Sequence, residues 1–462
     1  MKNQICFLVF VLIIGTSGIF AQQNPQSAQK DKVLTGKFEE ITRFALRDTF
    51  GYGLLRQVCS FGNRLSGSET LVKVEDFFIE KLKSMGLDSV YTQSTTTNNW
   101  KRGSVGRFTP VQSDEKFTIA AVGGSVGTNG VIKTKVIEVA GFDDLEAKKD
   151  QVKGKIVFYN FAFPQDVYDS FESYGPTGAY RWMGAIRAAK YGAVGVLIRS
   201  VASNFDDVPH TGSLGYFDSI PKIPAAALGV ISAVKLSKFL SDPKNHNSDF
   251  EFEMDCRTEE PATVRNIIGE IKGSEFPDEV IVVGGHIDSW DVGEGAHDDG
   301  AGIVQAVETL HLIKKAGIKP KRTIRAVLFA NEENGLAGGR FYGKSAAEEK
   351  VTHIAAIESD RGGFSPRGFS VASSPEVLGK IQAWLPYFLR TGIEWIQEGR
   401  DGADVSQIKN CSAIIGFVPD SQRYFDIHHS ANDIFSAVNN RELELGSAAI
   451  TILTVLISEF GL

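Results

Sequence analysis

Three unbroken apolar runs constrain the fold of this chain more than any other feature: "EVIVV" (279–283), "AVLFA" (326–330) and "HIAAI" (353–357). A strand with one face in water alternates apolar and polar residues, whereas a continuous apolar run marks a strand covered on both sides. Between the first two lies "GAGIVQAVETLHLIKKAG" (300–317), with Ile303, Val307 and Leu310 on one helical face. Strands alternating with helices predict an α/β fold, a mixed and mainly parallel sheet flanked by helices. A final helix is predicted over "NRELELGSAAITILTVLISEF" (440–460), with Asn440 as its cap and acidic residues in its first turn.

Upstream the texture differs. Apolar residues three and four apart predict helices between Asp31 and Gly86, interrupted by the polar loop "GNRLSGSE" (62–69). From about Phe117 short strands and turns take over: "FTIAAVGGS" (117–125), "VIKTKVIEVAG" (131–141) and "VKGKIVFYN" (152–160), followed by an expected helix over "GAIRAAKYGAVGVLI" (184–198). Residues 110–258 are therefore expected to form a smaller β-rich domain inserted into a larger one made of 31–109 and 259–462. At 462 residues, 42% of them hydrophobic, the chain has enough material for two cores. Residues 1–21, a lysine followed by an apolar stretch and small residues, read as a secretory signal peptide, so a secreted or periplasmic protein without stable membrane insertion is expected. Beyond that leader only Cys59, Cys256 and Cys411 remain, which make neither a disulfide framework nor a zinc-finger spacing. A formal charge of −7 gives no basic field for nucleic acid.

The apolar runs end in charge. "GGHIDSWDVGEGAHDDGAG" (284–302) follows the first, "NEEN" (331–334) the second, "ESD" (358–360) the third, and "YFDIHHSAND" (424–433) comes after the apolar "AIIGFV" (413–418). In an open parallel sheet, ligands bind beyond the carboxyl ends of the strands. Carboxylates gathered there would repel one another unless cations balanced them. Imidazole and carboxylate without thiolate suit zinc, with cobalt or manganese as substitutes. The donors outnumber what one tetrahedral ion takes, which argues for two ions ~3.5–4 Å apart sharing a carboxylate. Asp288, two residues after His286, is placed to accept the other imidazole N–H if the strand continues. Residue types alone leave Asp298 and Asp299 equivalent; His297 is expected in an outer or solvent position, with ligation as the alternative, and His428 either at the carbonyl oxygen of the reacting group or as a structural histidine.

In their order and spacing these segments, with "FANEENGLAGG" (329–339), "ESDRGG" (358–363) and "PDSQRYFDIHHSANDIF" (419–435), resemble the co-catalytic zinc exopeptidases that include bacterial leucyl aminopeptidases. Within that family, Trp290 and Asp291 point to the carboxypeptidase Q group. The resemblance implies a zinc exopeptidase fold with a protease-associated domain at 110–258 and two Zn2+ per chain. It implies that His286 and Asp360 hold one ion, Glu333 and His429 the other, and that Asp298 bridges them. Glu332 is then the general base, and Asp288, as the residue that orients His286, is counted with it among the catalytic residues. The implied activity is hydrolysis of dipeptides or short peptides from one end, as an aminopeptidase or a carboxypeptidase Q-like dipeptidase, and the implied assembly is a homodimer; Glu398–Gln407 lies where the family builds a substrate wall. A glutaminyl cyclase-like transamidase with one zinc and a receptor-like scaffold without metal are alternatives that the complete ligand set disfavours.

Overall fold

The computed structural model describes residues 25–400 and 402–462; the leader predicted at 1–21 lies outside them. The main layer is an eight-stranded sheet in the order Ser89–Lys101, Arg257–Ile271, Arg322–Phe329, Phe276–His286, Thr352–Glu358, Ala413–Pro419, Pro366–Ser373 and Trp395–Glu398. The middle strands run parallel: Phe276–His286 pairs in parallel with both its neighbours, and Thr352–Glu358 with Ala413–Pro419. Antiparallel pairings join Ser89–Lys101 to Arg257–Ile271, Arg257–Ile271 to Arg322–Phe329 and Pro366–Ser373 to Ala413–Pro419, while the edge strand Trp395–Glu398 pairs in parallel with Pro366–Ser373, making a mixed α/β sheet as the apolar runs predicted. Val280 to Val283, Ala326 to Phe329 and Ala355 to Ile357 are all buried, because helices cover both faces.

Two of those helices, Ala301–Lys315 and Asn440–Phe460, pack against each other over the sheet. The second is long and apolar enough to cross a bilayer, yet fifteen of its residues are buried within the fold. Its cap is Asn439 rather than Asn440: the Asn439 side chain accepts the N–H groups of Arg441 and Glu442, satisfying donors that a helix start leaves free.

Between Gly106 and Met254 the chain builds two smaller sheets. Three strands, Gly106–Pro110, Phe250–Met254 and Ile132–Thr134, form one; five, Ile119–Ala121, Ala225–Leu228, Gly195–Arg199, Ile156–Tyr159 and Val136–Val139, form the other. The helix expected through Ile198 stops at Lys190. Gly192 turns the chain at φ +81°, in the left-handed region that glycine tolerates, and "GVLI" becomes a buried strand. The helix ahead of that turn, Phe171–Lys190, faces the edge of the main sheet where the charged segments lie.

The two parts meet closely. Trp290 lies against Gly123 so tightly that a Cβ there would sit 1.8 Å from the indole, so only glycine fits. Arg102 donates to Asp291 through Nε, 2.9 and 3.0 Å from the two carboxylate oxygens, and through Nη2. The Thr211 N–H donates to the carbonyl of His429, and the Ser213 hydroxyl to that of Glu333.

Candidate metal centre

Parallel pairing brings the charged segments to one edge. His286 ends its strand opposite Phe329, two residues before the Asn331–Asn334 turn, and Gly284 lies opposite Glu358, two residues before Asp360. The loop after Ala413–Pro419 adds His429. Asp298 comes from the turn ahead of the helix Ala301–Lys315, where the Asp433 carboxylate accepts the N–H groups of His297 (2.7 Å) and Asp298 (3.1 Å). That use of Asp433 fixes the backbone that carries Asp298.

Asp298 stands between two imidazoles and turns one oxygen to each. Its Oδ1 is 3.1 Å from His286 Nε2, and its Oδ2 is 3.1 Å from His429 Nε2. Beyond them, His286 Nε2 is 3.2 Å from Asp360 Oδ1 and His429 Nε2 is 3.0 Å from Glu333 Oε2. The structure thus gathers His286, Asp298, Glu333, Asp360 and His429 into two three-donor sets that share one carboxylate. Asp299 has both oxygens occupied by main-chain N–H groups, Oδ2 by His286 and Oδ1 by Gly302, each at 2.9 Å. The glycines beside it make room: a Cβ on Gly285 or Gly302 would fall 2.3–2.4 Å from Asp299 Oδ2.

Electrostatics point the same way. Burial works against a charged His286, yet Asp360 and Asp298 raise its pKa well above the usual range; Glu333 and Asp298 do the same for His429. Burial opposes ionisation of Asp298 too, but the flanking imidazoles hold it well below the carboxylate range. Burial and the charge of Asp298 lift Glu333 to about 7. These are signs of a demand for positive charge at one point. Glu333 Oε1 is buried without a hydrogen-bond partner, an arrangement proteins seldom leave uncompensated. Ligands of a tetrahedral ion at ~2.0–2.2 Å lie ~3.3–3.6 Å apart, and the donor pairs here sit at 3.0–3.2 Å. Donor types, spacing and the orphaned Glu333 oxygen fit divalent metal binding.

Asp288 departs from the role expected of it. The strand ends at His286, so the chain turns and His286 Nδ1 faces the main-chain oxygen of Asp288 at 3.1 Å, with the carboxylate 3.7 Å away. The carboxylate instead accepts the Glu332 N–H at 3.0 Å and the Ser66 hydroxyl at 2.8 Å. Glu332, held in that way, lines the cleft over the cluster, and burial together with Asp360, Glu333 and Asp288 raises its pKa well above the ordinary value. His297 turns away from both donor sets: its Nδ1 accepts the Gly363 N–H and its ring stacks on Phe364 at 4.2 Å. His428 stacks on His429 at 3.6 Å, with Nε2 3.7 Å from Asp298 Oδ2, and burial and its charged neighbour keep it neutral.

Sequence reading passed over Arg64 and Ser66, which looked like parts of an ordinary polar loop. Arg64 is fully buried and donates to the carbonyls of Ile287, Glu294 and Gly295, clamping the turn between His286 and Asp298. A lone arginine between glycines was the only signal. Asp404, within the Glu398–Gln407 segment, is also buried, with both oxygens unpartnered beside Glu358. The cleft above all these groups encloses about 1070 Å³, enough for a short peptide. Glu332, Asp298 and Arg400 line it from the main layer, and Tyr174, Arg181 and Trp182 from the smaller part.

Comparison with known proteins matches residues 266–444 to the model of Peptidase family M28. Carboxypeptidase Q of Xenopus laevis is 34% identical over 406 residues, spanning 87% of this chain and 84% of that protein. The crystal structure of a Peptidase M28 precursor from Shewanella amazonensis superposes with a TM-score of 0.87 at 30% identity, covering 93% of this chain and 97% of the other. A zinc aminopeptidase from Bacillus subtilis, 17% identical, shares the fold with a TM-score of 0.63, over 87% of this chain and 93% of its own.

Proposed function

The chain belongs to peptidase family M28, and from that premise we propose that it is a zinc-dependent exopeptidase acting on dipeptides or short peptides. The observation that carries this reading is Asp298, which offers one oxygen to His286 and Asp360 and the other to His429 and Glu333. Those sets would each hold one divalent ion, zinc first, with cobalt or manganese as substitutes. Bound there, the ions supply the Lewis acidity that polarises a scissile carbonyl and brings a water within reach of deprotonation near neutral pH.

The remaining work falls to the protein. Glu332 accepts the proton of the attacking water and delivers it to the leaving amine nitrogen, so that it returns to its starting state after each turnover. Its high proton affinity, raised by burial and by its acidic neighbours, suits a base that must also act as an acid. Asp288 positions Glu332 through its main-chain N–H, Asp433 positions Asp298, and Arg64 holds the intervening turn. Two donor sets sharing a carboxylate support a peptidase over a one-ion transamidase, and the presence of every donor argues against a metal-free scaffold.

Metal analysis of the purified protein, coupled to a panel of dipeptides with and without chelator, tests the reading. Close to two zinc ions per chain and chelator-sensitive hydrolysis are expected. Hydrolysis that survives complete metal removal overturns it.

A further inference from the structure

The two histidines of the metal centre are not held alike. His286 turns Nε2 to Asp298 and Asp360, and its other ring nitrogen, Nδ1, meets the main-chain oxygen of Asp288 at 3.1 Å. His429 turns Nε2 to Asp298 and Glu333, but among the described residues its Nδ1 is buried without a partner. An imidazole that gives one nitrogen to a metal carries its proton on the other, and that N–H almost always goes to a carboxylate, a carbonyl or a water molecule. For His429 the protein supplies no such group.

A small cavity lies beside it, lined among others by Trp290, Gly293, Asp298, Glu333, His429 and Asp433. The five of these that carry side chains are all buried. Two more atoms of this lining set are buried without partners, Trp290 Nε1 and Glu333 Oε1. The indole ring of Trp290 stands 5.8 Å from the imidazole of His429, centre to centre, at 63°. Its benzo edge, through Cη2, Cζ3 and Cζ2, is the part that meets Gly123, so Nε1 belongs to the other edge of the ring.

The chemistry of these atoms names what fits between them. An indole N–H can only donate, and so can the free N–H of a metal-bound imidazole; neither satisfies the other. A water molecule accepts from both and returns a hydrogen to the Glu333 carboxylate. The cavity encloses about 10 Å³, at the lower end of the ~10–15 Å³ that one water needs. A small anion would also accept two N–H groups, but the carboxylates of Asp298, Glu333 and Asp433 border the cavity and repel it.

We propose that this cavity is a binding site for one structural water molecule, which links the Trp290 N–H to His429 and Glu333 and makes Trp290 a positioning residue for the donor set those two belong to. The effect on zinc rests on the peptidase reading above; the water itself does not.

The test combines zinc-loaded crystals of the full-length protein, at a resolution that shows ordered water, with titration of the zinc-free protein against a competing chelator. Wild type is expected to show a water ~2.7–3.2 Å from both Trp290 Nε1 and His429 Nδ1. Trp290→Phe keeps an aromatic ring against Gly123 and removes the N–H. It is expected to weaken one zinc equivalent by ~10–100-fold, the usual cost of losing an outer partner of a ligand, and to leave the other close to wild type. Anomalous scattering at limiting zinc should place that loss at Glu333 and His429. Trp100→Phe loosens the same aromatic packing, 6.3 Å from Trp290, but spares the Trp290 N–H, and should leave both affinities unchanged. An empty cavity, an anion in it, a Trp290→Phe protein with both equivalents weakened alike or neither weakened, or a Trp100→Phe protein with the same selective loss overturns the inference. Should Trp290→Phe fail to fold, the wild-type density decides. Failure of wild type to bind zinc overturns the metal reading and the positioning role with it, whereas zinc uptake with an empty cavity sinks this inference alone.

Discussion

Two groups of carboxyls are buried in the main layer, and they are stabilised in opposite ways. At the sheet edge, Asp298, Glu333 and Asp360 face imidazole nitrogens and open onto the cleft. In the helix layer, Glu308 and Glu444 come together with no cation: Glu444 Oε1 accepts the Tyr52 N–H at 2.9 Å, while both oxygens of Glu308 lack partners. Burial, then the charge of Glu444, drives the Glu308 pKa well above its usual value, and burial raises Glu444. The inner pair is balanced by the proton that Glu308 retains. The edge cluster gains its balance from histidines and fits metal ions. Burial of acid alone therefore does not identify a metal centre; shared imidazole contacts and access to a substrate-sized cleft do.

The sharpest way to break this contrast is to neutralise one acid in each place. Glu332→Gln, at the edge, is expected to lower kcat by ~100–10,000-fold with the zinc content unchanged, since the proton carrier goes and the ligands stay. Activity within a few-fold of wild type would remove Glu332 from the proton path. Asp433→Asn should have a smaller effect, because it disturbs only the backbone that presents Asp298. Loss of an outer partner of a metal ligand typically costs ~10–100-fold in metal affinity. Zinc titration against a competing chelator reads this directly, and an unchanged affinity would make Asp433 a fold residue only.

How far sequence alone reaches follows from the same contrast. The edge cluster was legible because its acids and histidines fall directly after runs such as "VIVV" and "AVLFA", whose burial on both faces fixes where they must end. The inner pair was not legible. Glu308 sits in a helix with one apolar face, where a glutamate looks solvated, and Glu444 near a helix start, where an acid suits the dipole, and only the packing of Ala301–Lys315 on Asn440–Phe460 brings them together. Asp288 was misread through a strand that stops two residues early, so its carboxylate reaches Glu332 instead of His286. Arg64 acts through carbonyls more than 200 residues away along the chain, and nothing in its neighbours announces it.

Glu308→Gln offers the finest test, since it should leave hydrolysis and zinc content unchanged and move only stability. A carboxyl whose pKa is raised by folding contributes its full stability below the unfolded value, near 4.5, and loses it as pH climbs toward the folded value. Across that window the unfolded chain releases a proton that the native state retains, so wild type should lose about 1.4 kcal/mol for each pH unit from this group. An amide at the position carries no such proton and can donate to Glu444. Thermal unfolding at pH 6 and pH 8 is then expected to show Tm falling more steeply for wild type, by a few degrees, with the variant the more stable of the two at pH 8. Parallel declines would mean that the inner acids are balanced by something other than protons, and the distinction between the two regions would have to rest on the histidines alone.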